Sequence, residues 1–186
     1  AGEPVERKEM ATPPRTPVLG IYGRLRDPAP VYPVLDTLAA LHEHHLWIGG
    51  EGPAIAALHS YSRTLGIEPR IHYCGETIER DTFLKSITSL LVPPGDAGVP
   101  SLIPQAWVHG TPVICALDPA SSPVINGENG LQLAGNSAET WQNAIIQITG
   151  NDDALVKDLI KGGLSAYTAN YRPEAFAEKL QNHLNR

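Results

Sequence analysis

Residues 95–116, GDAGVPSLIPQAWVHGTPVICA, set how the rest of the chain reads. Two glycines, Gly95 and Gly98, precede Ser101, which stands at the cap position of a helix, and Gly110 ends that helix in the way glycine commonly does. Thr111 and Pro112 then lead into an apolar run at 112–116 that reads as a strand. A loop whose backbone N–H groups lie ahead of a helix N-terminus favours anions. Asp96 and Gln105, beside it, are suited to hydrogen-bonding hydroxyl groups.

Working outward, the same alternation recurs on both sides. Short apolar runs at 18–22, 46–48, 71–74, 89–92 and 112–116, with a weaker one at 131–133, are rich in Val, Ile and Leu. They show little polar alternation, as expected of parallel strands covered on both faces. Between them, Val34, Leu35, Leu38 and Leu41 form one helical stripe, and Ile55, Leu58, Ser62 and Leu65 another, which follows Pro53. Asn136 with Glu139 has the spacing of a capping box ahead of Trp141, Ile145 and Ile148. Asn151, Asp152 and Asp153 begin a further helix that Gly162-Gly163 is expected to end, and Pro173 opens a last one with Phe176, Leu180 and Leu184. This order predicts an α/β domain built on a doubly wound parallel sheet, with ligands bound where strands run into helices.

Composition narrows the function classes. A chain of 186 residues fits one domain, and 42% apolar residues is ordinary for a globular protein. The formal charge of −6 argues against a nucleic-acid partner or a polybasic membrane surface. No apolar run approaches the ~20 residues of a membrane span, and the opening residues do not read as a leader. Cys74 and Cys115 fall in separate strands and read as buried thiols, which suits a reducing cytoplasm. Residues 1–16, AGEPVERKEMATPPRT, are charged, proline-rich and without apolar periodicity, so they read as a disordered linker ahead of a domain at 17–186. A linker in that place leads to the expectation that the chain is the C-terminal half of something longer.

Four strand-to-helix junctions are candidates for chemistry. After the first strand, Gly23 and Arg24 are either a solvated surface turn or a phosphate contact, since glycine permits close approach and a guanidinium fork matches phosphate oxygens. The second, GGEGP at 49–53, has a Gly-x-Gly, but Ile55 takes the third position of a dinucleotide fingerprint and the motif does not follow the first strand; close packing of the elements is preferred. The third, CGETIE at 74–79, offers backbone groups to a base edge. The fourth is the loop described above. His42, His44 and His45 lack a paired carboxylate ligand and read as a solvated helix end, so no metal site is expected. Trp107 reads as a packing residue rather than a sugar platform. Neither a Gly-x-Ser-x-Gly elbow nor a Walker lysine is present.

Taken in order, GR at 23–24, LWIGGEGPAIAALHSYSRTLGI at 46–67, RIHYCGETI at 70–78, GVPSLIPQAWVHGTPVICA at 98–116 and VINGENGLQLA at 124–134 resemble the donor-binding domain of retaining, family 4 glycosyltransferases of the GT-B fold. The resemblance covers about residues 17–186 and implies a Rossmann-like half of a GT-B enzyme. It implies a site for a nucleotide-diphosphate sugar, with no metal or other cofactor, made by Gly23, Arg24, Gly75, Thr77, Ile78, Asp96, Gly98, Val99 and Gln105. In that carry-over Arg24 neutralises the diphosphate, 75–78 holds the base, and Gly98 and Val99 present amides to sugar and phosphate. The catalytic residues are not assigned. Three positions depart from the pattern: Ala29 stands where a lysine is usual, and Ala97 and Gln105 stand where paired glutamates are usual. Arg26 is a substitute for the lysine, and Asp96 for the first glutamate. The implied reaction transfers a sugar to an acceptor glycan or lipid in bacterial surface polysaccharide or lipopolysaccharide synthesis. Its acceptor site, and any peripheral membrane contact, would lie in a missing N-terminal domain. The alternative is a degenerate, non-catalytic binding or scaffold module.

Overall fold

The computed structural model describes residues 12–76, 78–95, 100–150 and 152–172. Among these, six strands form one parallel sheet in the order β3-β2-β1-β4-β5-β6. They are β1 (Val18–Arg24), β2 (His45–Glu51), β3 (Ile71–Gly75), β4 (Ser89–Val92), β5 (Val113–Cys115) and β6 (Leu131–Gln132). Six helices alternate with them: α1 (Tyr32–Ala40), α2 (Ile55–Thr64), α3 (Arg80–Ser86), α4 (Leu102–Val108), α5 (Ala138–Thr149) and α6 (Asp153–Asn170). This is the doubly wound, Rossmann-like α/β fold expected from the alternating pattern.

Successive side chains of a strand point to opposite faces, and here both faces are covered. Leu19, Ile21, Leu46, Ile48, Leu91 and Ile114 enter a core with α1, α2 and α5, around Leu35, Leu38, Leu58, Trp141 and Ile145. Their neighbours Val18, Trp47, Leu90, Val92, Val113 and Cys115 enter a second core with α3 and α4, around Phe83, Leu84, Ile103 and Trp107. Each of the three buried tryptophans keeps its indole N–H bonded. Trp47 donates to Thr12 Oγ1 at 3.0 Å, Trp107 to the Asn129 carbonyl at 2.8 Å, and Trp141 to Asn136 Oδ1 at 2.7 Å. Trp107 is thus a packing residue, as its sequence context implied, and Thr12 is buried against the domain.

Several local expectations are corrected. The box that starts α5 is Ser137 with Thr140, which exchange backbone N–H bonds at 3.2 Å. Asn136 instead ties Trp141 to the β1–α1 loop by donating to the Pro30 carbonyl at 3.1 Å. Ser101 precedes α4 in helical backbone geometry and makes no side-chain cap bond. The pair Gly162-Gly163 does not end α6, which runs on to Asn170. A Cβ at Gly163 would strike the Trp107 ring, and one at Gly162 the Glu128 carbonyl, so these glycines serve close approach rather than termination. The histidines at 44 and 45 are not a solvated helix end. His44 Nε2 is 2.8 Å from Thr149 Oγ1, and His45 Nδ1 is 2.8 Å from His72 Nε2 with the two rings stacked. The expected helix from Pro173 lies outside the described residues.

Candidate functional site: a polar cleft at the strand carboxyl ends

β1 and β2 pair in register over their whole length, from Val18 with His45 to Arg24 with Glu51. Their last pairs come together because the second strand is glycine there. A Cβ on Gly49 would strike the Tyr22 ring, and one on Gly50 (φ +93°) the Gly23 carbonyl. The backbones close up further on, where Leu25 N–H donates to the Glu51 carbonyl at 2.9 Å and Ala54 N–H to the Leu25 carbonyl at 2.9 Å. The glycine-rich junction at 49–53 therefore packs strand against strand, in line with the preference for close packing over a dinucleotide site.

Above this floor opens a cleft of about 310 Å³, the kind of volume that holds part of a small ligand. Tyr22, Gly23 and Arg24 reach it from β1, Gly50 and Glu51 from β2, and Glu76 and Arg80 from the segment after β3. Phe83 buttresses Tyr22 edge-on, with ring centroids 5.3 Å apart, and the Arg80 guanidinium lies 5.8 Å from the centre of the same Tyr22 ring. That distance is within cation–π range. No carboxylate among the described residues lies within 4.0 Å of either Arg24 or Arg80, although Glu51 and Glu76 share the cleft. Two arginines without ion-pair partners among the described residues offer ten N–H donors in fixed forks, the arrangement that suits phosphate oxygens.

The cleft lies beside the position where the winding of the sheet reverses. β1 has β2 on one side and β4 on the other, so the loops after β1 and β4 diverge there. They remain neighbours: Pro30 Cγ of the first would be 3.9 Å from a Cβ placed on Gly95 of the second. Within the first loop, Ala29 N–H donates to Asp27 Oδ1 at 3.0 Å, and Asn136, just before α5, anchors Pro30.

Of the residues singled out from sequence, Gly23 and Arg24 line this cleft. Gly75 closes β3 and leads into it through Glu76, while Ile78 is half-buried against the second core. Gln105 lines a separate cleft of about 680 Å³ between the start of α4, residues 120–123 and the end of α6, where Tyr167 and Tyr171 also lie. Its amide donates back to the Ser101 carbonyl at 3.4 Å. Thr77, Asp96, Ala97, Gly98 and Val99 lie outside the described residues. Sequence reading gave no role to Tyr22, Glu51 and Glu76, which stand in or beside the junctions it singled out, and it passed over Arg80. Arg80 heads a seven-residue helix, too short to show a periodic stripe.

Among the described residues, no group of three or more His, Cys, Asp or Glu side chains is placed to hold a metal ion. No helix among them is long and apolar enough to cross a membrane. Cys74 and Cys115 are free thiols. Burial pushes the Cys74 thiol up to about 12, so it stays protonated beside the cleft and is a poor nucleophile.

A Rossmann-like sheet with an arginine-bearing cleft at its carboxyl edge has the architecture of one half of a GT-B glycosyltransferase. The chain belongs to the glycosyl transferases group 1 family, whose profile matches residues 16–151. It is 21% identical over 175 residues to the lipopolysaccharide core biosynthesis glycosyltransferase LpsD of Rhizobium meliloti (strain 1021), covering 94% of this chain and 51% of that protein. Among solved structures it resembles Anabaena Alr3699/HepE in complex with UDP and glucose, with TM-score 0.82 and 17% identity over 96% of this chain and 50% of that one. It also resembles the C-terminal domain of the Francisella tularensis glycosyl transferase group 1 family protein LpcC, with TM-score 0.72 and 15% identity over 92% of this chain and 96% of that one. The chain thus spans about half the length of the curated relatives it matches.

Proposed function

We propose that this chain is the donor-binding, C-terminal half of a retaining GT-B glycosyltransferase that takes a sugar from a nucleotide diphosphate. The observation that carries the reading is the cleft itself: Gly23 floors it and Arg24 stands at its rim, at the carboxyl end of β1, with no carboxylate partner for the guanidinium among the described residues. In the reaction the leaving diphosphate develops negative charge as the glycosidic bond breaks. Arg24 would stabilise that charge without having to reorganise, which is the electrostatic form of catalysis. The acceptor, a glycan or lipid of bacterial surface polysaccharide or lipopolysaccharide, would be held by an N-terminal domain of the same protein. The lipopolysaccharide core role of the Rhizobium meliloti relative supports that pathway, and the UDP in the Anabaena structure supports a nucleotide donor.

A second reading, a non-catalytic binding module, is favoured by one observation. Gln105, which stands where the resemblance implies a ribose-binding glutamate, carries no charge and lies in a cleft apart from Arg24. Titration calorimetry of the chain with UDP, GDP and ADP tests the first reading directly. Binding of one diphosphate, weakened by about 1.5–3 kcal/mol in Arg24→Ala, is the expected result. Absence of binding by all three would exclude a donor site.

A further inference from the structure

The cleft contains a cation that the resemblance does not supply. Arg80 begins α3, a different element from the one that carries Arg24, yet it lines the cleft together with Arg24 from the end of β1. Resting on the donor-binding reading above, we propose that Arg24 and Arg80 form a two-guanidinium clamp for the diphosphate of the nucleotide, with the Tyr22 ring as the brace that aims Arg80.

Three observations converge on this. First, the two arginines come from different elements and are brought together only by the fold, so one ligand between them can engage two forks. A single phosphate is already matched by one fork, whereas two linked phosphates offer a separate pair of oxygens to each. Second, both arginines remain without a carboxylate partner among the described residues while Glu51 and Glu76 line the same space. Two other arginines are engaged: Arg63 pairs with Glu68 at 3.1 Å, and Arg70 donates to three carbonyls. Third, Arg80 does not project freely. Its guanidinium is 5.8 Å from the Tyr22 ring centre, and that ring is itself wedged between Phe83 and the bare backbone of Gly49. A cation over an aromatic face keeps its in-plane N–H groups directed outward for a ligand. The two glutamates make the clamp selective, because an anion that reaches only one arginine meets an uncompensated carboxylate.

The test is calorimetric titration of the 186-residue chain with uridine, UMP and UDP. Affinity should climb with each added phosphate. Arg80→Ala should weaken UDP about tenfold, the loss of one charge-assisted contact, and leave uridine unchanged. Arg80→Lys should recover part of the loss, and Glu76→Gln should tighten UDP by removing a repelling charge. Arg80 is exposed, so circular dichroism should show the variants folded. If Arg80→Ala binds UDP as the parent does while Arg24→Ala is weakened, the clamp is wrong and the donor site stands with one arginine. If the parent binds none of UDP, GDP and ADP, the donor reading falls and inorganic pyrophosphate becomes the probe. Pyrophosphate binding that Arg80→Ala abolishes would then keep the clamp, and no pyrophosphate binding would end it too.

Discussion

The Trp107 indole lies directly against Gly163, close enough that a methyl group on that glycine would overlap the ring. α4 and α6 therefore meet at backbone distance through one bare position. Alanine would gain about 1 kcal/mol of helix propensity there, but forcing extra volume into a packed contact costs about 1–3 kcal/mol. Gly163→Ala should lower stability, by up to roughly 2 kcal/mol, in urea unfolding; a gain would show that the helices separate without penalty.

Arg70 anchors the end of α1. Its guanidinium donates to the carbonyls of Leu38 in the last turn of α1 at 2.9 Å, of the C-cap Leu41 at 2.8 Å and of His44 in the turn beyond at 3.0 Å. Arg70→Met keeps the apolar stem and removes all three bonds. A loss of about 2–3 kcal/mol in chemical denaturation is expected, and a change under 0.5 kcal/mol would mean that water replaces the guanidinium freely.

Stability should fall on mild acidification. His44 titrates below its ordinary value near 6.5, chiefly through burial, with Glu43 opposing and Arg70 adding to the effect. His72 is lowered by burial and then by the charge of His45. Both are favoured neutral in the fold, so the unfolded chain binds more protons below pH 6.5. Their contribution is present above that pH and is lost as pH drops through the lowered folded values. Thermal melts between pH 7.5 and 5 should show a declining Tm, with a shallower decline in His72→Gln. A flat profile for the parent would mean that neither histidine is held neutral.

Gln105 separates the two functional readings. Its side chain makes one long bond within its own helix, so Gln105→Ala should change stability by less than about 0.5 kcal/mol. In a protein that joins this chain to an acceptor domain, the same change should weaken donor binding or slow turnover if the second cleft belongs to the site. Unaltered kinetics would take Gln105 out of the donor site, and absence of any turnover would favour the binding-module reading.

The chain by itself should not transfer sugar to an acceptor. Transfer needs donor and acceptor enclosed together, in reacting geometry and away from water, and this half offers an open cleft. Incubation with UDP-glucose and candidate glycan acceptors, read by mass spectrometry, should yield no glycosylated product. A product would show that one half suffices.

The fold was legible because it is written in short unbroken apolar runs, which parallel strands buried on both faces must have. β1 to β5 appear where those runs are, and β6 is reduced to Leu131–Gln132, as its weaker run suggested. What was not legible depends on contacts distant in sequence. Gly162 and Gly163 carry the local signature of a helix end, but the Glu128 carbonyl and the Trp107 ring that make them necessary are more than thirty and more than fifty residues away in the chain. Asn136 has the spacing of a cap, yet its amide is taken up by Trp141 and Pro30, leaving Ser137 to do that work. In the site, Gly23 and Arg24 could be singled out because they follow a strand directly. Arg80 could not, since its place beside Tyr22 arises only when α3 packs against β1.

The floor of the cleft is main chain: Gly23 against Gly50, with no side chain between them. A surface of peptide groups has nothing for a substitution to exchange, short of adding a Cβ that the strands cannot admit. Arg24, Glu51, Glu76 and Arg80, by contrast, stand on the exposed rim, where each can be replaced without disturbing the sheet. The place where a ligand sits and the identity of the ligand are thereby under separate genetic control. Such a scaffold can change what it binds by rim mutations alone, one side chain at a time, while remaining folded at every step.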